Sequence, residues 1–237
     1  MSEPSPNASL PRQFVHYAFF KVDPAWRRLP EAERAAGKDA FARVVADYQG
    51  RSIVLPFSLV GIRGDCDFML WRVTYDLETL QEMSGRLLAT GLGNWLTTPY
   101  SYLGQAKTSV YEDEFIHPSQ EEKRSRIRPG EYKYLFIYPF VKSREWFLLP
   151  KEERQRIMRE HIQVGHEYPS IKLNTIYSFG LDDQEWVVAF ESNRPSDFLD
   201  LVMHLRETES SRYTVRDTPI FTCVRGDLRS VLNTLGG

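Results

Sequence analysis

Residues 132–168 read YKYLFIYPFVKSREWFLLPKEERQRIMREHIQVGHEY. From Tyr132 to Phe140 the run is aromatic and β-branched, as a strand requires. Lys142, Trp146 and Pro150 then lead into a charged helix reaching Val164, in which Ile157, His161, Val164 and Tyr168 fall on one face. The same order occurs 120 residues earlier: LPEAER from Leu29 answers LPKEER from Leu149, and Phe20 and Trp26 answer Phe140 and Trp146 at that offset. Asp67-Phe68 and Glu185-Trp186, each after a turn, correspond at an offset of 118. An internal repeat of this length decides the architecture before any motif does.

Each copy reads strand, helix, strand, strand, helix, strand. In the first copy the strands are Gln13–Val22, Ser52–Val60, Phe68–Val73 and Thr97–Gly104, with helices from Pro30, expected to break near Gly37, and over Leu77–Leu92. In the second they are Tyr132–Phe140, Leu173–Phe179, Glu185–Glu191 and Pro219–Val224, with helices Pro150–Val164 and Pro195–Glu207. This predicts an α+β chain of two tandem ferredoxin-like repeats of the dimeric α/β-barrel type, antiparallel sheets carrying helices on their outer faces. The expected divisions are an N-terminal arm (1–12), a first repeat (13–110), a polar linker (111–131), a second repeat (132–226) and a C-terminal tail (227–237). Units of this kind leave sheet faces and edges open, so they pair within and between chains and a homo-oligomer is expected.

Composition narrows the function. The 237 residues carry a net charge of −2, which gives no basic surface for nucleic acid. The two cysteines, Cys66 and Cys223, form no CxxC pair, so neither a disulfide framework nor a zinc site is indicated and a reducing cytoplasmic compartment fits. The start, MSEPSPNASLPRQ, lacks the pattern of a signal peptide, and no window reaches the apolar length of a membrane span. No P-loop, GxGxxG, GxSxG or HExxH motif occurs.

Three residues of the opening stretch could carry chemistry. Taken singly, Tyr138 is a core phenol, Lys142 a solvated lysine and His161 a hydrogen-bonded core histidine. Together they gain weight because the first repeat has Phe19 or Ala18 where Tyr138 stands and carries its lysine one position earlier, at Lys21. Arg206, Glu209, Ser210, Ser211 and Arg212 cluster after the last helix, where they either cap it or bind carboxylates through the arginine fork. Arg124 and Arg126 in the linker are candidates of the same kind.

With Tyr138-Pro139-x-x-Lys142, Trp146 to Pro150, Glu160-His161, Ser178-x-Gly180-Leu181-Asp182-Asp183-x-Glu185-Trp186, Ala189-Phe190-Glu191 and Asp217-Thr218-Pro219-x-Phe221-Thr222 in order, the chain resembles the chlorite dismutase-like family of haem proteins, and within it the coproheme decarboxylases. The resemblance implies peroxide-dependent oxidative decarboxylation of iron coproporphyrin III to haem b through a tyrosyl radical. It makes His161 the proximal iron ligand, Tyr138 the radical phenol and Lys142 the cation beside the reacting propionate. It gives Glu209 the role of orienting the proximal imidazole, and places Arg124, Trp146, Asn174, Arg206 and Ser211 around the porphyrin. Thirteen positions after His161, where chlorite dismutases carry an arginine, stands Asn174, which argues against chlorite chemistry. Other members use a distal histidine from the linker, where His117 lies. The resemblance further implies a homopentamer, with a ferrochelatase as a possible donor. The alternatives are a haem-binding or haem-transfer protein with weak peroxidase activity, a chlorite dismutase, and an iron-free ligand-binding barrel.

Overall fold

The computed structural model describes residues 11–109, 111 and 126–236, and the N-terminal arm up to residue 10, Arg124 and His117 lie outside that range. Strands β1 (Phe14–Val22), β2 (Ile53–Ser58), β3 (Phe68–Thr74) and β4 (Leu96–Gln105) form the first sheet. Strands β5 (Tyr134–Lys142), β6 (Ile171–Tyr177), β7 (Trp186–Ser192) and β9 (Phe221–Arg225) form the second, with the short β8 (Thr214–Arg216) on the end of β5. Both sheets have the ferredoxin-like order, β4-β1-β3-β2 and β6-β7-β5-β9, with every pairing antiparallel.

The two sheets close on each other. Gln105 of β4 pairs with Tyr177 of β6, and Phe57 and Ser58 of β2 pair with Arg225 and Val224 of β9, so the strands other than β8 make a ring. Pro56 fits in β2 because the β9 register begins at Phe57 and Pro56 offers that side only its carbonyl, which accepts from Gly226 N at 3.4 Å. Closure leaves alternate residues pointing into a shared interior. Val15, Tyr17, Phe19, Trp71, Leu135, Ile137, Ile176, Ala189 and Phe221 fill it, with the Phe19 and Phe221 rings 4.1 Å apart.

The outer faces carry the helices. α1 (Glu31–Ala46) and α2 (Leu77–Leu88) cover the first sheet over Ala18, Phe20, Phe41, Leu70 and Met83. A short α3 (Arg144–Leu148), then α4 (Lys151–His166) and α5 (Pro195–Glu207), belong to the second, where α4 and α5 pack over Phe136, Tyr138 and Phe190. Two expectations are corrected. α1 runs unbroken through Gly37, because that glycine is a point of close approach: a Cβ there would lie 2.9 Å from Leu92 N and from the Trp26 ring. The stretch taken for a tail contains α6 (Leu228–Asn233), which buries Val231 and Leu232 against the first unit's helices.

Under α2 the outer face of the first sheet holds a polar pair. Arg72 donates to His16 Nδ1 at 2.8 Å, which fixes the imidazole proton on Nε2 for Ser101 Oγ, also at 2.8 Å, since a guanidinium only donates. Burial, then the charge of Arg72, holds the His16 pKa down at about 3. A folded pKa below the unfolded 6.5 means that the unfolded chain takes up a proton that the folded chain refuses. Stability from His16 is therefore complete above pH 6.5 and is lost as pH falls towards 3. Urea titrations of the apo protein should show about 1–3 kcal/mol of this loss between pH 6.5 and about pH 4.5. His16→Gln keeps an acceptor for Arg72 and should flatten that part of the profile; an unchanged slope would exclude His16 as its source.

Candidate functional site

β5 presents Tyr134, Phe136, Tyr138 and Phe140 outward, towards α4 and α5, and Leu135 and Ile137 inward, as a period of two dictates. Pro139 falls in the gap between the β9 partners, which end at Ile137, and the β8 partners, which begin at Val141, so its missing N–H costs no bond on that edge. Tyr138 is buried on this face, and burial, then the carboxylate of Asp217, raises its pKa, with Arg206 opposing. The phenol is therefore neutral.

Lys142, at the end of the strand, is only 7% exposed. Its ammonium donates to Ser210 O at 2.9 Å and to Ser210 Oγ at 3.0 Å, and lies 4.3 Å from the centroid of the Trp146 ring. Among the described residues no carboxylate pairs with it. Burial lowers its pKa to about 8. The first repeat shows what has changed: there Asp67 accepts both the backbone N–H of Val22 and the Lys21 ammonium, each at 2.9 Å. In the second repeat Glu185, the counterpart of Asp67, still accepts the backbone N–H of Lys142, at 3.2 Å. The ammonium has been moved one residue along and away from the acid.

On α4, Ile157 and Val164 are buried and His161 shares their face. The His161 Nδ1 is sealed from water with no hydrogen-bond partner among the described residues. Burial, then the positive charge of Lys142, lowers its pKa to about 4, so the imidazole is neutral and has a lone pair to give. No three His, Cys, Asp or Glu converge among the described residues, so iron held by side chains alone has no ligand set there. A single neutral, under-satisfied imidazole is what a porphyrin iron takes from a protein.

The other expected residues separate. Glu209 does not reach His161; its carboxylate takes the Arg156 guanidinium at 2.8 Å. Arg206 pairs with Asp217 close to Tyr138. Ser211 turns back to the Arg206 carbonyl, whereas the buried Ser210 faces Lys142. Trp146 is fully buried between Lys142 and Tyr213.

Asn174 is on the opposite side of the sheet from Tyr138. In the β6–β7 register it opposes Ala189, a barrel-interior residue, and its amide donates to the buried Glu191 at 2.9 Å. Leu173 opposes Phe190 on the outer face, in the row beside Tyr138, Val188 and Thr175. Asn174 therefore does not share the face of Tyr138, because one residue in a strand exchanges the faces. The signal for the correction was the alternation of β6 itself, with Ile176 inward.

A family model described as chlorite dismutase matches residues 17–226. The coproheme decarboxylase of Mycolicibacterium smegmatis is 31% identical over 232 residues, 94% of each chain. The structure of chlorite dismutase from Candidatus Nitrospira defluvii in complex with imidazole superposes with a TM-score of 0.84 at 26% identity over 93% of each chain. A haem-binding protein from Thermus thermophilus shares the fold, with a TM-score of 0.84 at 23% identity over 98% of this chain and 99% of the other.

The register gives a direct test. Asn174→Ala removes a partner from a buried carboxylate and should cost about 1–3 kcal/mol in urea unfolding. Leu173→Ala, half-exposed, should cost less than about 1 kcal/mol. The reverse ranking would mean that Asn174 faces outward.

Proposed function

The chain belongs to the chlorite dismutase family, and from that membership we propose that it converts iron coproporphyrin III to haem b by hydrogen-peroxide-dependent oxidative decarboxylation. The observation that carries this reading is a buried ammonium, Lys142, with no counter-carboxylate among the described residues, beside a buried neutral phenol and a neutral imidazole on one sheet–helix face. When bound, the iron porphyrin supplies the peroxide-driven oxidising power, and its propionates are the groups consumed.

His161 would hold the iron from α4 through its neutral imidazole. Tyr138 would give up an electron and its phenolic proton, and the resulting radical would take a hydrogen atom from the propionate carbon next to the ring. Loss of a second electron from the propionate releases carbon dioxide and leaves a vinyl group. Each propionate thus yields two electrons and one proton, and a peroxide reduced to two waters takes these with one further proton from solvent. Lys142, with a pKa near 8, is suited to pair with the entering carboxylate and to pass that proton. Arg206 and Ser210 line the same end.

From β6 the outer face offers Leu173, with no cation, which supports decarboxylation over chlorite chemistry. The same reading makes the chain one subunit of a homo-oligomer, a pentamer by the family pattern, acting in the cytoplasm on coproheme handed over by a ferrochelatase. No helix of the described residues is long and apolar enough to cross a membrane.

The test is a peroxide titration of the ferric coproheme complex, with the porphyrins identified by mass. Two carbon dioxide losses, at about two peroxides per porphyrin, are expected, and retention of all four propionates would leave only a haem-binding role. Tyr138→Phe should still bind ferric coproheme but lose vinyl formation; conversion at the wild-type rate would remove Tyr138 from the reaction. His161→Ala should lose the axial-imidazole signature in the iron spectrum.

A further inference from the structure

The turn that holds Lys142 is itself fastened down by α4. It spans Glu209–Tyr213, and three side chains of α4 grip its start. Arg156 donates to the Glu209 carboxylate at 2.8 Å, Glu160 Oε2 accepts the Glu209 N–H at 3.0 Å, and Met158 Sδ lies 3.8 Å from Ser210 Oγ. On its other side Ser210 meets the Lys142 ammonium with both its carbonyl and its hydroxyl oxygen. Of the three α4 groups, the Met158 thioether is the one that peroxide can oxidise.

The direction of each bond follows from the groups involved. An ammonium only donates, so Ser210 Oγ accepts from Lys142, and its single hydrogen is left for Met158. The sulfur thus ends a chain that runs from Lys142 through Ser210, and a thioether is a weak acceptor. Met158 also stands three residues before His161 on α4, a rise of about 4.5 Å. Met69 and Met83 are sealed in the two core layers of the first unit, and Met203 stands exposed on α5. Met158 is half-buried, and among the described methionines it alone is hydrogen-bonded into the site.

We propose that Met158 is a modification site: hydrogen peroxide oxidises its thioether to the sulfoxide, and through Ser210 the change weakens the grip of Lys142 on a substrate carboxylate. A sulfur lone pair attacks one peroxide oxygen, and the S–O bond forms as the O–O bond breaks. The proton on the transferred oxygen leaves with the other oxygen as water. The sulfoxide oxygen is a strong acceptor where the sulfur was a weak one. It polarises the Ser210 hydroxyl and so strengthens the bond that Oγ accepts from Lys142. The ammonium is then committed to the turn rather than to an entering carboxylate. Excess peroxide thereby slows the enzyme at substrate binding, and a thiol-dependent sulfoxide reductase restores it. The inference rests on the decarboxylase reading for its oxidant and for the carboxylate beside Lys142.

The full-length apo protein, carrying Met203→Leu to remove the exposed thioether, is treated with hydrogen peroxide and mapped by peptide mass. Freed of peroxide, it is titrated with ferric coproheme, following the Soret band. Met158 should gain one oxygen before Met69 or Met83 does, and coproheme affinity should fall by about fivefold. The axial-imidazole spectrum at saturation should stay as it was, and a methionine sulfoxide reductase with dithiol should restore the affinity. Met158→Gln, which sets a carbonyl oxygen where the sulfoxide oxygen would stand, should reproduce the loss without peroxide. In Met158→Leu and in Ser210→Ala the affinity should no longer respond to peroxide treatment. Three results would each overturn the inference: Met158 oxidised no faster than Met69 and Met83, undiminished affinity in both the oxidised protein and Met158→Gln, or a peroxide response that persists in Ser210→Ala. With carbon dioxide still lost in the peroxide titration, any of these leaves the decarboxylase reading standing. A wild-type protein that binds no coproheme would remove both.

Discussion

Closure of the two sheets into a ring is the constraint from which the remaining arrangement follows. A closed sheet has an inside that side chains must fill, and here aromatic and aliphatic residues of both units fill it. Chemistry is therefore displaced to the outer faces, between sheet and helix. Strand alternation then assigns each residue of β5, β6 and β7 to the core or to that outer layer. Tyr138 and Lys142 share parity with Phe136 and Phe140, and so lie on the layer that α4 covers with His161.

The repeat explains how an outer layer that serves as plain core in one unit comes to hold the candidate site in the other. In the first unit Lys21 and Asp67 neutralise each other, and Phe20, Phe41 and Phe68 close the space above the sheet. In the second, Glu185 keeps the backbone contact of its counterpart but not the ammonium. The lysine has moved one residue along the strand, into a nest made by a serine and an indole face. Neither Ser210 nor Trp146 carries charge. The ammonium is thus oriented and partly hydrogen-bonded, yet no anion among the described residues neutralises it.

Much of this was legible in the sequence, and the failures share a cause. The repeat offsets, the alternation of β5 and the helical spacing of Ile157, His161 and Val164 are local periodic signals, and they led to the architecture and to the three residues of the outer face. Asn174 was misplaced because its face depends on where β6 starts after the turn following α4, which spacing from His161 does not fix. Glu209 and Ser211 lie in a short turn whose side chains are directed by tertiary contacts: Arg156 captures the first, and the end of α5 captures the second. Ser210 stood out no more than its neighbours until Lys142 was seen beside it. Gly37 read as a helix breaker because its contacts, Leu92 and Trp26, are remote or across a turn.

The electrostatics of the outer face are asymmetric in a way that suits one kind of ligand. Low dielectric around Lys142 disfavours its charged form, and the same burial, with Lys142 nearby, keeps His161 neutral. A carboxylate brought next to Lys142 reverses the first effect, holding the lysine protonated while the ligand's charge leaves water. The imidazole gains nothing from that carboxylate directly, since protonating it would cost the lone pair an iron needs. A ligand with anionic arms around a flat apolar body and a metal at its centre satisfies both groups at once. A small anion alone would satisfy only the lysine, and a neutral macrocycle only the histidine. On the proposed reading, the face suits that combination through burial rather than through the number of its charges.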